Sequence, residues 1–343
     1  MKKHIVWFLL FAMLISGCAF AEEAQPEQAQ TEQTQAEETP AEQTGEQLSL
    51  TTGLPTTMPY KPMVVSMDNN RRARPQKNLA SADVVYEIEI AGGGYTRYMA
   101  VFNDTIPDIV ESVRSTREIG VDICRDWDGT LIHYGGLSAK GEFIPPLLNS
   151  MGIDVHFNGL EDSKNFFRDS ERVQPYNAGA YLKQIYDAST KVSEQRAPLK
   201  FSATEPTIKG DDATAFEINY SKKTGHCASY KYNAEDGLYY RYYNGEEHKD
   251  GVTGEQLTCA NVIIMYHEAS YYNGDGNVPV IQATGTNKCE YFIGGKHFTG
   301  TWQRESRDTT TTYLDDEGNE VLLKPGKTYI QMLNQNKSVE ITG

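Results

Sequence analysis

Two arginines three positions apart, in the run Glu111-Ser112-Val113-Arg114-Ser115-Thr116-Arg117-Glu118, are well placed to hold an anion. If a helix begins there, both guanidinium forks project from one face near its N-terminus. Unpaired backbone N–H groups and the helix dipole already favour negative charge at that position. Each charge-assisted contact of this kind contributes about 1.5–3 kcal/mol. More arginines gather close by, at Arg71, Arg72 and Arg74 in the run Asn69 to Gln76, at Arg97, and at Arg168 and Arg172. Arg74, Arg97, Arg114 and Arg117, with Asp68 and Asn69 as polar partners, form the candidate binding set for an anionic or sugar-containing ligand. The competing arrangement is structural: Asp68, Asp83, Glu87, Glu89 and Asp169 lie close enough in sequence to neutralise the same arginines as ion pairs.

A second set has the residue types for acid–base work. Asp68 closes a short apolar run, Glu87 and Glu89 project from one side of an alternating run, and His133 sits in a third. Asp68, Glu87 and His133 would serve a cell-envelope hydrolase or transferase; the simpler expectation is a solvated carboxylate face and a core histidine. No G-x-S-x-G, S-x-x-K, H-E-x-x-H or phosphate-loop pattern occurs. Asp126-Trp127-Asp128-Gly129 and Asn273-Gly274-Asp275-Gly276-Asn277 begin like calcium loops, but neither reaches the acidic closing position, so both read as turns. Nothing calls for a metal or a cofactor. Cys124, Cys227, Cys259 and Cys289 form no C-x-x-C pair, and their spacing selects none of the three possible disulfide pairings.

These residues are carried on short elements. Met63–Met67, Val84–Ile90, Arg97–Phe102 and Thr130–Tyr134 read as strands. Ser115–Arg125 reads as a helix, and so does a stretch from Gly135 toward Ser150, bent by Pro145-Pro146. Apolar spacing at Tyr181, Leu182, Ile185 and Tyr186 predicts a further helix over 178–194. Beyond residue 205 the grammar is that of hairpins, with Asp236-Gly237, Asn244-Gly245, Gly294-Gly295 and Glu317-Gly318 separating apolar runs. The expectation is an α+β protein, with an N-terminal α/β domain over 58–203 and a mostly antiparallel β-rich domain over 204–343. Tyrosines crowd the second half and read as cross-strand packing pairs, although such rings also stack on sugars.

The N-terminus sets the compartment. Lys2, Lys3 and His4 precede an apolar stretch, Ile5–Ile15, too short to span a bilayer, and Ser16-Gly17-Cys18 follows. Residues 1–17 read as a lipoprotein signal peptide, with Cys18 acylated as the first mature residue and durably anchored in the membrane. Residues 18–57 read as a disordered acidic linker, with eight glutamates and no Lys or Arg over 22–47. The formal charge of −15 is therefore uneven: without Lys2, Lys3 and the linker glutamates, about −9 remains on the folded part. Export and acidic balance exclude nucleic acid as a partner. The expected location is the extracytoplasmic face of the cell membrane, with a cell-wall polymer or another anion as ligand. A protein-interaction scaffold at that surface is the remaining alternative. Oligomeric state is not legible.

Six motifs in order, Met67-Asp68-Asn69, Ala73-Arg74-Pro75-Gln76, Ala82-Asp83-Val84-Val85-Tyr86-Glu87, Gly94-Tyr95-Thr96-Arg97, Val113-Arg114-Ser115-Thr116-Arg117 and His133-Tyr134-Gly135-Gly136, resemble the YerB-like lipoproteins, a bacterial family of unknown function. The resemblance runs from about residue 58 to 335 and includes Tyr240-Arg241, Asn261-Val262-Ile263 and Gly300-Thr301-Trp302. It implies an exported, lipid-anchored, two-domain protein and supplies no activity. Where relatives commonly carry Gly-Pro and a His, this chain has Glu111-Ser112 and Tyr176. Any acid–base role of that His is absent here, which favours binding over catalysis.

Overall fold

The computed structural model describes residues 47–204, 206–271 and 278–343. Residues 1–46, including those read as signal peptide, acylated Cys18 and linker, and the Asn273–Asn277 segment read as a turn, lie outside the described residues. None of the described helices is long and apolar enough to cross a membrane.

One long mixed sheet organises the fold. Its strands are β1 (Met63–Asp68), β2 (Val84–Ala91), β3 (Tyr95–Phe102), β4 (Thr130–His133) and β5 (His156–Asn158) from the first half. A second, antiparallel sheet is built on β6 (Ala215–Ser221), β7 (His226–Asn233) and β8 (Leu238–Tyr243). The later half also returns β9 (Asn261–His267), β10 (Gly285–Ile293), β11 (Lys296–Arg304) and β12 (Thr328–Asn334) to the first sheet. There the strand order is β11-β10-β9-β12-β2-β3-β1-β4-β5. The sheet is continuous across residue 203, because β12 pairs in parallel with β2, Tyr329 opposite Val85.

Both faces of this sheet are covered, so β1 reads Met-Val-Val-Ser-Met-Asp with every residue buried rather than alternating. Met63, Val65 and Met67 pack with Val85, Tyr98 and Ala100 against Phe216, Ile218 and Tyr230 of the second sheet. Val64 points the other way, with Val84, Tyr86 and Met99, onto Ile119 and Ile123 of helix α1 (Glu118–Asp126) and onto Trp127. The second sheet has only one covered face, and β6 and β8 alternate between buried and part-exposed residues accordingly. Phe216 and Phe292 stack across the interface with ring centroids 3.7 Å apart.

The structure is mostly β, which corrects the expectation of an α+β protein with an N-terminal α/β domain. Only two α-helices occur among the described residues, α1 and α2 (Leu182–Ala188). The reasons are local. Over 178–194 the chain spends Ala178–Ala180 on a strand paired with Phe166–Arg168, and the helical spacing lasts under two turns. Pro145 and Pro146 offer no N–H groups, and the stretch from Gly135 toward Ser150 forms a single 3-10 turn, Pro145–Leu147, instead of a helix. The four cysteines are free thiols, so no disulfide forms among the described residues. Trp127-Asp128 is the turn that follows α1, and the Asp126 carboxylate at the helix end accepts from the Thr311 N–H (2.8 Å) and hydroxyl (2.6 Å).

Residues 47–57 are structured. Gln47–Leu48 pairs with Pro55–Thr56, and the fully buried Thr51 donates its hydroxyl to Asp83 Oδ2 over 2.9 Å.

Candidate functional site

Strands β9, β12, β2, β1, β4 and β5 run in one direction; β3, between β2 and β1, runs against them, as does β10 beside β9. The C-terminal ends of six strands and the start of β3 therefore share one edge. Asp68 ends β1, His133 ends β4, and Arg97 near the start of β3 lies opposite Asp68 in the register. Such an edge, where loops converge at strand ends, is the usual place for a ligand on sheets of this kind.

The loop before α1 lies along this edge, bonded to β1 and to the residues that follow β4. The Arg114 N–H donates to Ser66 O, Tyr134 N–H to Arg114 O, and Thr116 N–H to Gly135 O, at 2.8, 3.0 and 3.0 Å. Arg117 then occupies the N-cap position of α1, where no side chain caps the helix. Three guanidinium groups are thereby gathered in one another's field, with the Asp68 carboxylate beside Arg114 and Arg97. Arg114 Nε sits 2.8 Å from Asp68 Oδ2, an ion pair in which the N–H is not aimed at the oxygen. Arg97, 5% exposed, donates from Nη1 to Ser115 O, and Arg117 donates from Nη1 to Thr116 O (3.0 Å). The buried Nε groups of Arg97 and Arg117 have no partner. Burial and the Arg117 and Arg114 charges outweigh Asp68 and push Arg97 down to about 9. Burial, then Arg114, pushes Arg117 down to about 10. Both stay charged at neutral pH, in a place short of negative charge.

Arg74 reaches the same edge from the 3-10 turn Arg71–Ala73, which the Asn70 side chain caps by accepting from Arg72 N–H. Its guanidinium donates to Asn69 O (3.2 and 2.9 Å) and lies over the Tyr243 ring, 3.7 Å from the centroid. Asn69 has become framework: its amide Nδ2 is 2.9 Å from Glu87 Oε1 and 2.7 Å from Thr96 Oγ1. Tyr176 lies beside the cluster, with the Arg72 and Arg114 guanidinium carbons each 5.8 Å from its ring.

The acid–base set is dispersed among other partners. Glu87 and Arg241 are both fully buried and form an ion pair of 2.6 Å between β2 and β8, across the sandwich. Arg241 Nε donates to His248 Nδ1 (3.0 Å), whose Nε2–H donates to Gln76 Oε1 (3.0 Å), and Gln76 Nε2 donates to Asp68 O (2.8 Å). This chain of bonds joins the two sheets and leaves Glu87 no free oxygen, since Oε1 takes the Thr96 hydroxyl (2.7 Å). His133 is buried, 2.9 Å from Gly135 O and 3.2 Å from His156 Nδ1, and burial pushes it down to about 4. Among the described residues Asp68, Glu87 and His133 share no hydrogen-bond or ion-pair partner.

One residue at this edge went unnoticed in the sequence. His226, 2% exposed at the start of β7, stands edge-on to Tyr95 (5.2 Å between centroids) and to Tyr243 (6.1 Å). Its Nε2 has no partner. A solitary histidine after Lys222-Lys223-Thr224-Gly225 carries no spacing signal; only the packing of β7 against β3 and β8 brings it here. Clefts of about 530 and 450 Å³ open elsewhere, beside Asp315–Leu322 and beside Gln303–Thr312, and neither includes the arginines.

Residues 51–195 match the N-terminal domain, and residues 216–330 the C-terminal domain, of the family described as "Protein of unknown function (DUF3048)". The chain belongs to this family. A member from Bacillus subtilis (strain 168), named "Putative lipoprotein YerB", is 28% identical over 303 residues, covering 82% of this chain and 85% of its own. The crystal structure of the YerB protein from Bacillus subtilis superposes with a TM-score of 0.73 at 25% identity, covering 85% of this chain and 99% of that one. The arginine motifs and the Glu87–Arg241 pair thus lie inside segments that the family defines.

Proposed function

We propose that the protein is a lipid-anchored binding protein on the extracytoplasmic face of the cell membrane. It is tethered through Cys18 and holds an anionic cell-envelope ligand at the sheet edge formed by Arg97, Arg114 and Arg117. Arg74, Asp68 and Asn69 shape that edge. The observation that carries this reading is the imbalance of charge: three guanidinium groups stand in one another's field with one carboxylate, Asp68, beside two of them, and two buried Nε–H donors are unused. Natural folds rarely leave buried donors empty, and a guest anion would fill them. The Ile-Ser-Gly-Cys sequence ending at residue 18 and the name of the Bacillus relative support the anchor. Catalysis by Asp68, Glu87 and His133 has less support, because Glu87 is committed to Arg241.

The test is retention on purified cell wall, with inorganic phosphate as competitor. Replacing Arg114 and Arg117 together by alanine should abolish retention and leave the melting temperature in anion-free buffer unchanged or higher. Equal retention by the variant would remove the proposal.

A further inference from the structure

We infer that the ligand of the arginine edge is a membrane lipid, its phosphate on Arg114 and Arg117 and its hydrocarbon chain along Leu137, Phe143 and Leu160. The inference rests on the binding reading above and goes further by naming the chemical class. A lone exposed apolar side chain is ordinary on a protein surface, but these three are 43%, 44% and 55% exposed and converge on one spot. Residues 136–144 form a small hairpin, in which Ser138 N–H donates to Glu142 O (2.9 Å) and Ile144 N–H to Gly136 O (3.0 Å). Leu137 and Phe143 stand opposite each other across it as an antiparallel pair, so their side chains leave from the same face. Leu160 joins them from the turn after β5. A Cβ on Gly135 would stand 2.8 Å from Leu160 Cδ1 and 3.7 Å from Phe143 Cε2, so only a glycine lets both side chains close over this point.

The patch and the arginines belong to one surface. Ile144, at the foot of the hairpin, is buried with Ile119 and Ile123 of α1, the helix that Arg117 caps. Gly135 O accepts from Thr116 N–H (3.0 Å). A Cβ on Gly136 would stand 3.1 Å from Thr116 O, the same oxygen to which Arg117 Nη1 donates over 3.0 Å. One carbonyl thus separates the Arg117 guanidinium from the hairpin that carries Leu137. Glu118 Oε2 accepts from Ala139 N–H (3.1 Å) and ties the hairpin to the first turn of the helix.

Charge and apolarity together select the occupant. A wholly polar anion would leave Leu137, Phe143 and Leu160 in water, and a wholly apolar guest would leave the buried Nε groups of Arg97 and Arg117 empty. A lipid phosphate answers both. Its oxygens match guanidinium forks whose charge exceeds that of Asp68, and its methylenes gain by leaving water for the apolar rim. The proposed anchor at Cys18 holds the protein at a surface made of such lipids.

Isothermal titration of the full-length protein with glycerol 3-phosphate and with its 1,2-dihexanoyl ester, kept below the concentration at which the ester forms micelles, tests this. Both compounds carry the same phosphate, and only the second carries chains. The ester should bind about tenfold more tightly, the gain expected from burying roughly two methylenes. Leu137→Ser combined with Phe143→Ser should erase that advantage and leave the affinity for glycerol 3-phosphate unchanged. Equal binding of the two compounds to the unaltered protein overturns the inference and leaves a purely polar anion site. A serine variant that keeps the advantage overturns it as well, because the chains then lie elsewhere. The comparison of the two compounds on unaltered protein stands even if the serine variant does not fold. If neither compound binds, or if Arg114→Ala with Arg117→Ala binds both as well as the unaltered protein does, the underlying binding reading fails instead.

Discussion

Removing a charge from the arginine cluster should make the empty protein more stable. Arg117 drops from the usual arginine range to about 10 because burial and the neighbouring Arg114 disfavour its charged form. At 1.36 kcal/mol for each tenfold change in proton affinity this corresponds to about 3 kcal/mol, which partial exposure of the side chain reduces to about 1–2 kcal/mol. The unfolded chain holds this proton more tightly than the fold does. The penalty is therefore complete at neutral pH and is relieved only as pH rises past about 10. Arg117→Met keeps the apolar stem and removes the charge. For a chain of this size the gain is a rise of about 2–3 °C in melting temperature. Scanning calorimetry in a buffer free of multivalent anions would read it, and a repeat with added phosphate would complete the comparison. Phosphate should raise the melting temperature of the unaltered protein more than that of Arg117→Met, because one of its ligands is gone. A variant that melts several degrees lower without phosphate, or that gains as much from phosphate, would refute the reasoning. Arg117 would then be a structural residue rather than part of a strained binding edge.

The buried Glu87–Arg241 pair behaves in the opposite way: Arg241→Met should cost about 3–5 kcal/mol in urea unfolding, and adding Glu87→Leu should recover part of the loss. Asp83 is pushed up to about 7 by burial and by Asp104, so the folded state holds this proton more tightly than the unfolded chain does. Stability from this group is fully present at acid pH and is lost as pH rises toward 7. The melting temperature of Asp83→Asn relative to the unaltered protein should therefore climb between pH 5 and pH 8, and a constant difference would refute this. Among the described cysteines, Cys124, Cys259 and Cys289 are buried, with burial pushing Cys259 up to about 12 and the other two further. Brief alkylation of native protein, followed by mass spectrometry, should therefore label Cys227 alone of these four.

Sequence alone determined the strands that carry the site. Met63–Asp68, Val84–Ala91 and Thr130–His133 stand close to where their β-branched and apolar runs end at polar residues, because that pattern is local. It also placed Arg97, Arg114 and Arg117 near strand ends and a helix start, which followed from turn and cap chemistry. Fold class was not legible. The return of Thr328–Asn334 to pair with Val84–Ile88 joins segments more than 200 positions apart, and no local pattern encodes that register. The same long-range pairing decided which charges are free. Glu87 read either as part of a solvated carboxylate face or as an acid–base group, and β8 made it neither by bringing Arg241 to it; His226 carried no signal until the second sheet packed it against Tyr95 and Tyr243. Counter-charge is a property of space rather than of spacing, so only the tertiary structure could separate Arg241, which Glu87 neutralises, from Arg97 and Arg117, whose buried Nε groups have no hydrogen-bond partner.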